Sequence, residues 1–144
     1  PMNQLAKWES EGSLQSGYPQ NIETEAKWEK PNEDMTRRVR AYLDMNCAHC
    51  HAEGHHCGYR PMRFAWNQTT DPAKIGVCVP TTDPIAPSQD YVVHAGHSER
   101  SMLYYRISSN DPSERMPLMG RTVRHEEAIQ LIGDWINSLP DTCQ

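Results

Sequence analysis

Residues 34–51 read DMTRRVRAYLDMNCAHCH. Asn32 or Asp34 can accept from the free amides at a helix start. Met35, Val39, Tyr42 and Leu43 then recur at helical spacing, with Arg37, Arg38 and Arg40 expected to face out. The periodicity predicts a helix running straight into Cys47. Two thiols three positions apart with a histidine directly after the second is the C-x-x-C-H spacing that attaches haem c. On one helical turn the Cys47 and Cys50 thiols reach two neighbouring vinyl groups of a porphyrin, and the next imidazole, His51, falls under the iron. The motif therefore names Cys47 and Cys50 as covalent anchors, His51 as the proximal iron ligand, and one haem c per chain as the cofactor.

Two other chemistries use a C-x-x-C pair. A zinc site wants a second pair of ligands, for which Cys57, His55 and His56 are the nominees. A redox dithiol wants a βαβ context, which the flanking sequence lacks.

The composition suits a bound group. The chain has 144 residues, of which 37% are hydrophobic, and a mean hydropathy of -0.79, so its own core should be small for its size. A covalently held apolar cofactor would supply the missing interior. The net charge of -5, from 14 Lys plus Arg against 19 Asp plus Glu, argues against a nucleic-acid or anionic-membrane surface. No transmembrane run is present, and the first residues lack the basic start and apolar middle of a signal peptide. The start at Pro1 reads as a mature product or a piece of a longer precursor.

Outward from the motif, residues 1–31 read as an extension or linker packed on the surface, with Leu5, Trp8 and Leu14 as a short amphipathic helix. Residues 32–144 form the expected haem domain. Residues 52–93 are rich in Gly, Pro, Thr and Asp and read as loops. Residues 99–108, ERSMLYYRIS, predict a short helix, and residues 110–120, NDPSERMPLMG, a loop. Thr122 opens a strong amphipathic helix with His125, Ala128, Ile129, Leu131, Ile132, Trp135, Ile136 and Leu139 as its inner stripe, ending at Pro140.

A haem iron held by one histidine needs a sixth ligand or an open position. Met116 is the leading candidate, because Pro117 stiffens the backbone just after it and the loop precedes the last helix. A thioether is a soft, neutral donor that favours the reduced iron. Met119, His94, His97 and His125 compete with it. His94 and His97, spaced i, i+3, also suggest a small metal site. Arg60, Arg106 and Arg121 are candidates to pair with haem propionates.

The helix entering CAHCH, the variable loops, the Met116-Pro117 loop and the last helix bearing Trp135 resemble the class I c-type cytochrome family over about residues 32–140. The strings RVRAYLDMNCAHCH, GVC, LYYRI, DPSERMP and HEEAIQLIGDWINSL look more narrowly like the C-terminal haem domain of larger secreted bacterial proteins. The resemblance implies an all-α fold, class I cytochrome c-like helices around one covalently bound haem, with loop-rich insertions and an N-terminal extension. It also implies that the first and last helices cross closely, Ala41 or Tyr42 meeting Gly133 or Trp135. Beyond the family pattern, Cys57 and Cys78 look like an added disulfide over the haem edge, the alternatives being two free thiols or a bond to Cys143.

The expected function is electron transfer with His51 and Met116 on the iron, in a periplasmic or extracellular bacterial protein. Its partners would be redox proteins and other domains of a longer precursor. The rival is a catalytic or sensing haem with an open or displaceable distal site, peroxidase-like or gas-binding.

Overall fold

In the computed structural model, which describes residues 3–19, 22 and 25–143, the first two helices start where a side chain supplies a partner for an early amide. Of the expected extension, residues 1, 2, 20, 21, 23 and 24 lie outside the described residues, as does residue 144. Helix α1 (Gln4–Ser10) is capped by the Asn3 side chain, which accepts from the Leu5 amide at 2.9 Å, and it buries nothing. It ends before Leu14, so the expected three-residue stripe never forms on one helix. Further along, Ala26 is buried and Trp28 lies against the core.

Helix α2 (Met35–Leu43) is capped by Asp34, whose carboxylate accepts from the Arg37 amide at 2.9 Å. It buries Val39, Ala41 and Leu43, while Met35 stays exposed. Its arginines do not simply face water. Arg38 donates to the Trp28 carbonyl at 2.7 Å, and Arg40 donates to the Trp66 carbonyl at 2.7 Å with its guanidinium 4.1 Å from the centre of the Trp66 ring. α2 widens into a π-helical turn, Asp44–Ala48, that carries Cys47.

Helix α3 (Pro72–Ile75) is a single turn with Pro72 at its start, where the missing N–H is harmless. A 3-10 turn, Ser98–Arg100, leads into α4 (Met102–Ser108). The last helix, α5 (Glu126–Ser138), starts four residues after Thr122, with His125 at its N-cap and Glu126 and Glu127 at the positive end of its dipole. Ala128, Ile129, Leu131, Ile132, Trp135 and Ile136 are its buried stripe, as the periodicity predicts, but His125 is 45% exposed and lies outside it.

α5 packs against both α2 and α4. The gap left by Gly133 receives Tyr104 of α4, since a Cβ there would lie 2.8 Å from Tyr104 Cε2. The family-based expectation gave that place to α2.

The core gathers Val39, Leu43, Leu103, Leu131, Ile132, Trp135 and Ile136 from these helices and Phe64, Val92 and Val93 from loops. Loop segments are tied by isolated bridges, Val77 with Val93, Pro80 with Tyr91, and Tyr91 with Ser101. The expected all-α, class I cytochrome c-like fold is thereby corrected. Helix accounts for only 35% of the described residues and bridging strand for 4%. Proline, glycine and short polar side chains across residues 52–93 keep that part of the chain from any helix longer than the single turn α3, and it closes the core as bridged loops. Among the described residues no helix is long and apolar enough to cross a membrane.

The disulfide joins Cys78 to Cys143, not Cys57 to Cys78 as expected. Gly76, at φ 103°, turns the chain back so that the Cys78 amide donates to the Val93 carbonyl at 2.9 Å. That register carries Cys78 to the segment after α5, where Cys143 Sγ accepts from the Ala95 amide at 3.3 Å. Cys57 is buried elsewhere as a free thiol.

The bond closes a span of 65 residues, for which chain entropy gives about 4 kcal/mol of stabilisation. Cys143→Ser should lower the unfolding free energy by about that amount in denaturant titration. Peptide mapping without reduction should recover Cys78 joined to Cys143; a Cys57–Cys78 peptide contradicts the assignment.

Candidate functional site

The Cys47–His51 segment closes on itself. The Cys47 carbonyl accepts from the amides of Cys50 at 3.1 Å and His51 at 3.0 Å, and the Cys50 carbonyl accepts from Cys57 at 3.0 Å. The turn is pinned to the rest of the domain because Asp44 accepts from the Trp66 amide at 2.7 Å and Asn46 donates to the Tyr42 carbonyl at 2.8 Å. Cys47, Cys50 and Cys57 are all free thiols.

His51 is 9% exposed, and the edge of its ring meets Phe64 with centroids 5.1 Å apart. Its Nδ1 is buried without a hydrogen-bond partner. Burial first, then the charges of Arg60 and Arg63, hold the imidazole below the usual histidine range. The ring is therefore neutral at pH 7, the form that offers a lone pair to a metal.

Cys47 and His51 line a crevice with two lobes of about 580 and 310 Å³, within the span of ordinary ligand sites. Both lobes are bounded by Leu43, Cys47, His51, Ile107, Met116 and Leu118, so they meet along a seam between the CAHCH turn and the Met116 loop. The sequence thus names residues from both walls of one cavity.

The Met116 wall is held by backbone contacts. The Met116 amide donates to the Arg106 carbonyl at 2.9 Å, and Arg106 Nη1 donates to the Glu114 carbonyl at 2.9 Å. Arg121 donates to the carbonyls of Ile107 at 2.7 Å, Met116 at 2.9 Å and Ser109. Met116 is half-buried, whereas Met119 is 76% exposed.

The other ligand candidates separate by position. Met119 and His125 border only the larger lobe. His125 accepts from or donates to the Tyr42 hydroxyl at 3.2 Å and meets the Trp28 ring edge-on at 4.8 Å. His94 and His97 border neither lobe and lie with Asp141. Of the arginines proposed for propionates, Arg121 is spent on three carbonyls, and Arg60 is paired with Asp83 and Thr82. Arg60 and Arg106 border the smaller lobe.

Two contributors escaped the sequence reading. Phe64 and Trp28 carry no motif and reach the site only through tertiary packing. Of the residues nominated for zinc, exposed His56 and buried Cys57 border both lobes. Among the described residues the thiols of the CAHCH turn form no close metal-binding group with Cys57, His55 and His56; the one such group is His94, His97 and Asp141.

No family model, curated protein or solved structure matches the chain.

Burial, with the neighbouring Cys50 adding to it, pushes the Cys47 thiol up to about 12. A raised thiol pKa means less thiolate at any given pH. With Cys47 unmodified, alkylation at pH 8 should therefore be slower there than at an ordinary cysteine by roughly a hundredfold or more. Time-resolved labelling and peptide mapping measure it, and equal labelling of Cys47 in folded and urea-unfolded chain would contradict it.

Proposed function

We propose that this chain is a mono-haem c-type electron-transfer domain, with Cys47 and Cys50 holding the porphyrin and His51 and Met116 holding its iron. One observation carries the reading: the two lobes of the crevice share a seam that includes Cys47, His51 and Met116. A buried, neutral histidine, two adjacent free thiols and a thioether on the opposite wall are a donor set that fits haem c. The same thiols lack the further donors that zinc requires, since no close group of three ligands includes them among the described residues.

The bound group would supply one-electron chemistry, its iron alternating between ferrous and ferric. The chain's own residues supply position and environment. Addition of each thiol across a vinyl group would fix the cofactor at two points on the turn closed by the Cys47 carbonyl. Phe64 packs on one edge of His51 and limits its rotation. Arg121 and the Arg106 carbonyl hold the Met116 backbone, so the thioether stays in place with little rearrangement between oxidation states. Leu43, Ile107 and Leu118 give the seam an apolar lining that restricts water, a lever on reduction potential.

The domain's partners on this reading are redox proteins that approach the crevice mouth, and its likeness to c-type cytochromes is one of motif and ligand set. The Cys78–Cys143 bond suits an oxidising compartment, periplasmic or extracellular.

The optical spectrum of the oxidised protein tests the ligand set. A weak far-red band from sulfur-to-iron charge transfer should be present, vanish in Met116→Ala and persist in Met119→Ala. In Met116→His the iron should stay six-coordinate with a lower reduction potential, because imidazole stabilises ferric iron more than a thioether does. Loss of the band in Met119→Ala alone, or its absence from the unaltered protein, would overturn the assignment.

A further inference from the structure

Outside both lobes of the crevice, three side chains converge that electron transfer does not use. His94, His97 and Asp141 each offer a donor atom, and these atoms lie within 4.8 Å of one another. His97 Nε2 is 3.2 Å from one Asp141 carboxylate oxygen, and His94 Nε2 is 3.9 Å from the other. Donors bound to a tetrahedral zinc at about 2.0–2.1 Å are spaced roughly 3.3 Å apart, so the His97–Asp141 pair already has that spacing and His94 would have to draw in. We propose that His94, His97 and Asp141 form a second site, for a divalent cation of the zinc class.

The outer nitrogens of both rings face carboxylates. His97 Nδ1 is 3.3 Å from Glu99, and His94 Nδ1 is 3.5 Å from Asp90. This is the carboxylate–histidine–metal arrangement, in which the carboxylate fixes the proton on Nδ1 and leaves the Nε2 lone pair for the ion. His94 also carries an anomaly that a plain salt-bridge cluster does not explain. It is only 3% exposed, and its Nδ1 is buried without a completed hydrogen bond despite Asp90 nearby. A metal on Nε2 would make Nδ1–H a stronger donor and draw that contact in.

The backbone is already arranged for the ligands. Ser101, fully buried, accepts from the His94 amide at 2.8 Å and donates to the His97 carbonyl at 2.8 Å, so the turn bearing both histidines is locked. Asp141 is two residues from Cys143, whose bond to Cys78 ties that segment beside Ala95. The local charge favours a cation. Asp90, Glu99 and Asp141 surround two imidazoles, and Arg100 offsets only Asp90, at 2.9 Å. Two nitrogen donors with one carboxylate select zinc-class ions over calcium or magnesium, which prefer all-oxygen shells. Three protein donors leave a fourth position for water.

The test uses the full, untagged chain, washed with chelator and then equilibrated with zinc(II) alone. One zinc per chain should be retained after dialysis, and X-ray absorption at the zinc edge should show two imidazoles with oxygen and no sulfur at about 2.3 Å. His94→Ala removes a buried ring and risks the fold, so the exposed ligands carry the mutational arm. His97→Ala and Asp141→Asn should each weaken zinc binding at least about tenfold, a change of about 1.4 kcal/mol, with unchanged circular dichroism. No retained zinc, retention by both variants equal to that of the unaltered chain, or a sulfur shell from the CAHCH thiols would overturn the proposal. None of these results bears on whether haem is attached.

Discussion

The carbonyl of Cys47 accepts from two amides at once, those of Cys50 and His51, and this small closed turn sets the site. It makes the side chains of Cys47, Cys50 and His51 leave the backbone from one compact loop. The turn can hold that shape because α2 delivers it and because Asp44 and Arg40 clamp it to the Trp66 segment. A charged pair of anchors at the end of a helix, each bonded to backbone groups, resists fraying where a helix end alone would not.

Placing His51 inside is costly unless its polar atoms are used. One ring nitrogen is buried without a partner, and leaving a buried polar atom unsatisfied costs about 1–3 kcal/mol. Natural structures rarely tolerate such atoms. The opposite wall follows the same logic in reverse. Met116 carries no strong polar atom of its own, so the loop around it is held by backbone carbonyls and the Arg121 guanidinium. The apolar core contributed by α2, α4 and α5 supports both walls, since Leu43 belongs to the core and to the crevice lining, and Ile107 packs against that core.

What could be read from sequence divides along the range of the interactions. Helix α2 was legible because its cap and periodicity are local, and α5 because its periodicity is, although the α5 start slipped from Thr122 to Glu126. The residues of the CAHCH turn and Met116 were singled out by motif spacing and a Met-Pro loop, which are also local signals, and the structure brings them to one crevice. Arg37, Arg38 and Arg40 were expected to face out, yet Arg38 and Arg40 reach carbonyls ten and twenty-six residues away, a pairing no window of sequence reveals. The disulfide failed for the same reason. Counting spare cysteines cannot tell Cys57 from Cys143 as the partner of Cys78; the left-handed turn at Gly76 and the register of Val93 decide it. The all-α expectation came from family likeness, and the proline-rich middle of the chain overrode it with bridged loops.

The central claim is that the two thiols of the CAHCH turn are spent on a porphyrin. The intact mass of the protein, purified from a host that exports and matures c-type cytochromes, tests it most directly. Because each thiol adds across a vinyl group without losing atoms, the account predicts the polypeptide mass plus one whole haem, retained through acid-acetone extraction. A colourless, exported and folded chain at the bare polypeptide mass, with Cys47 and Cys50 still open to alkylation after unfolding, would contradict it.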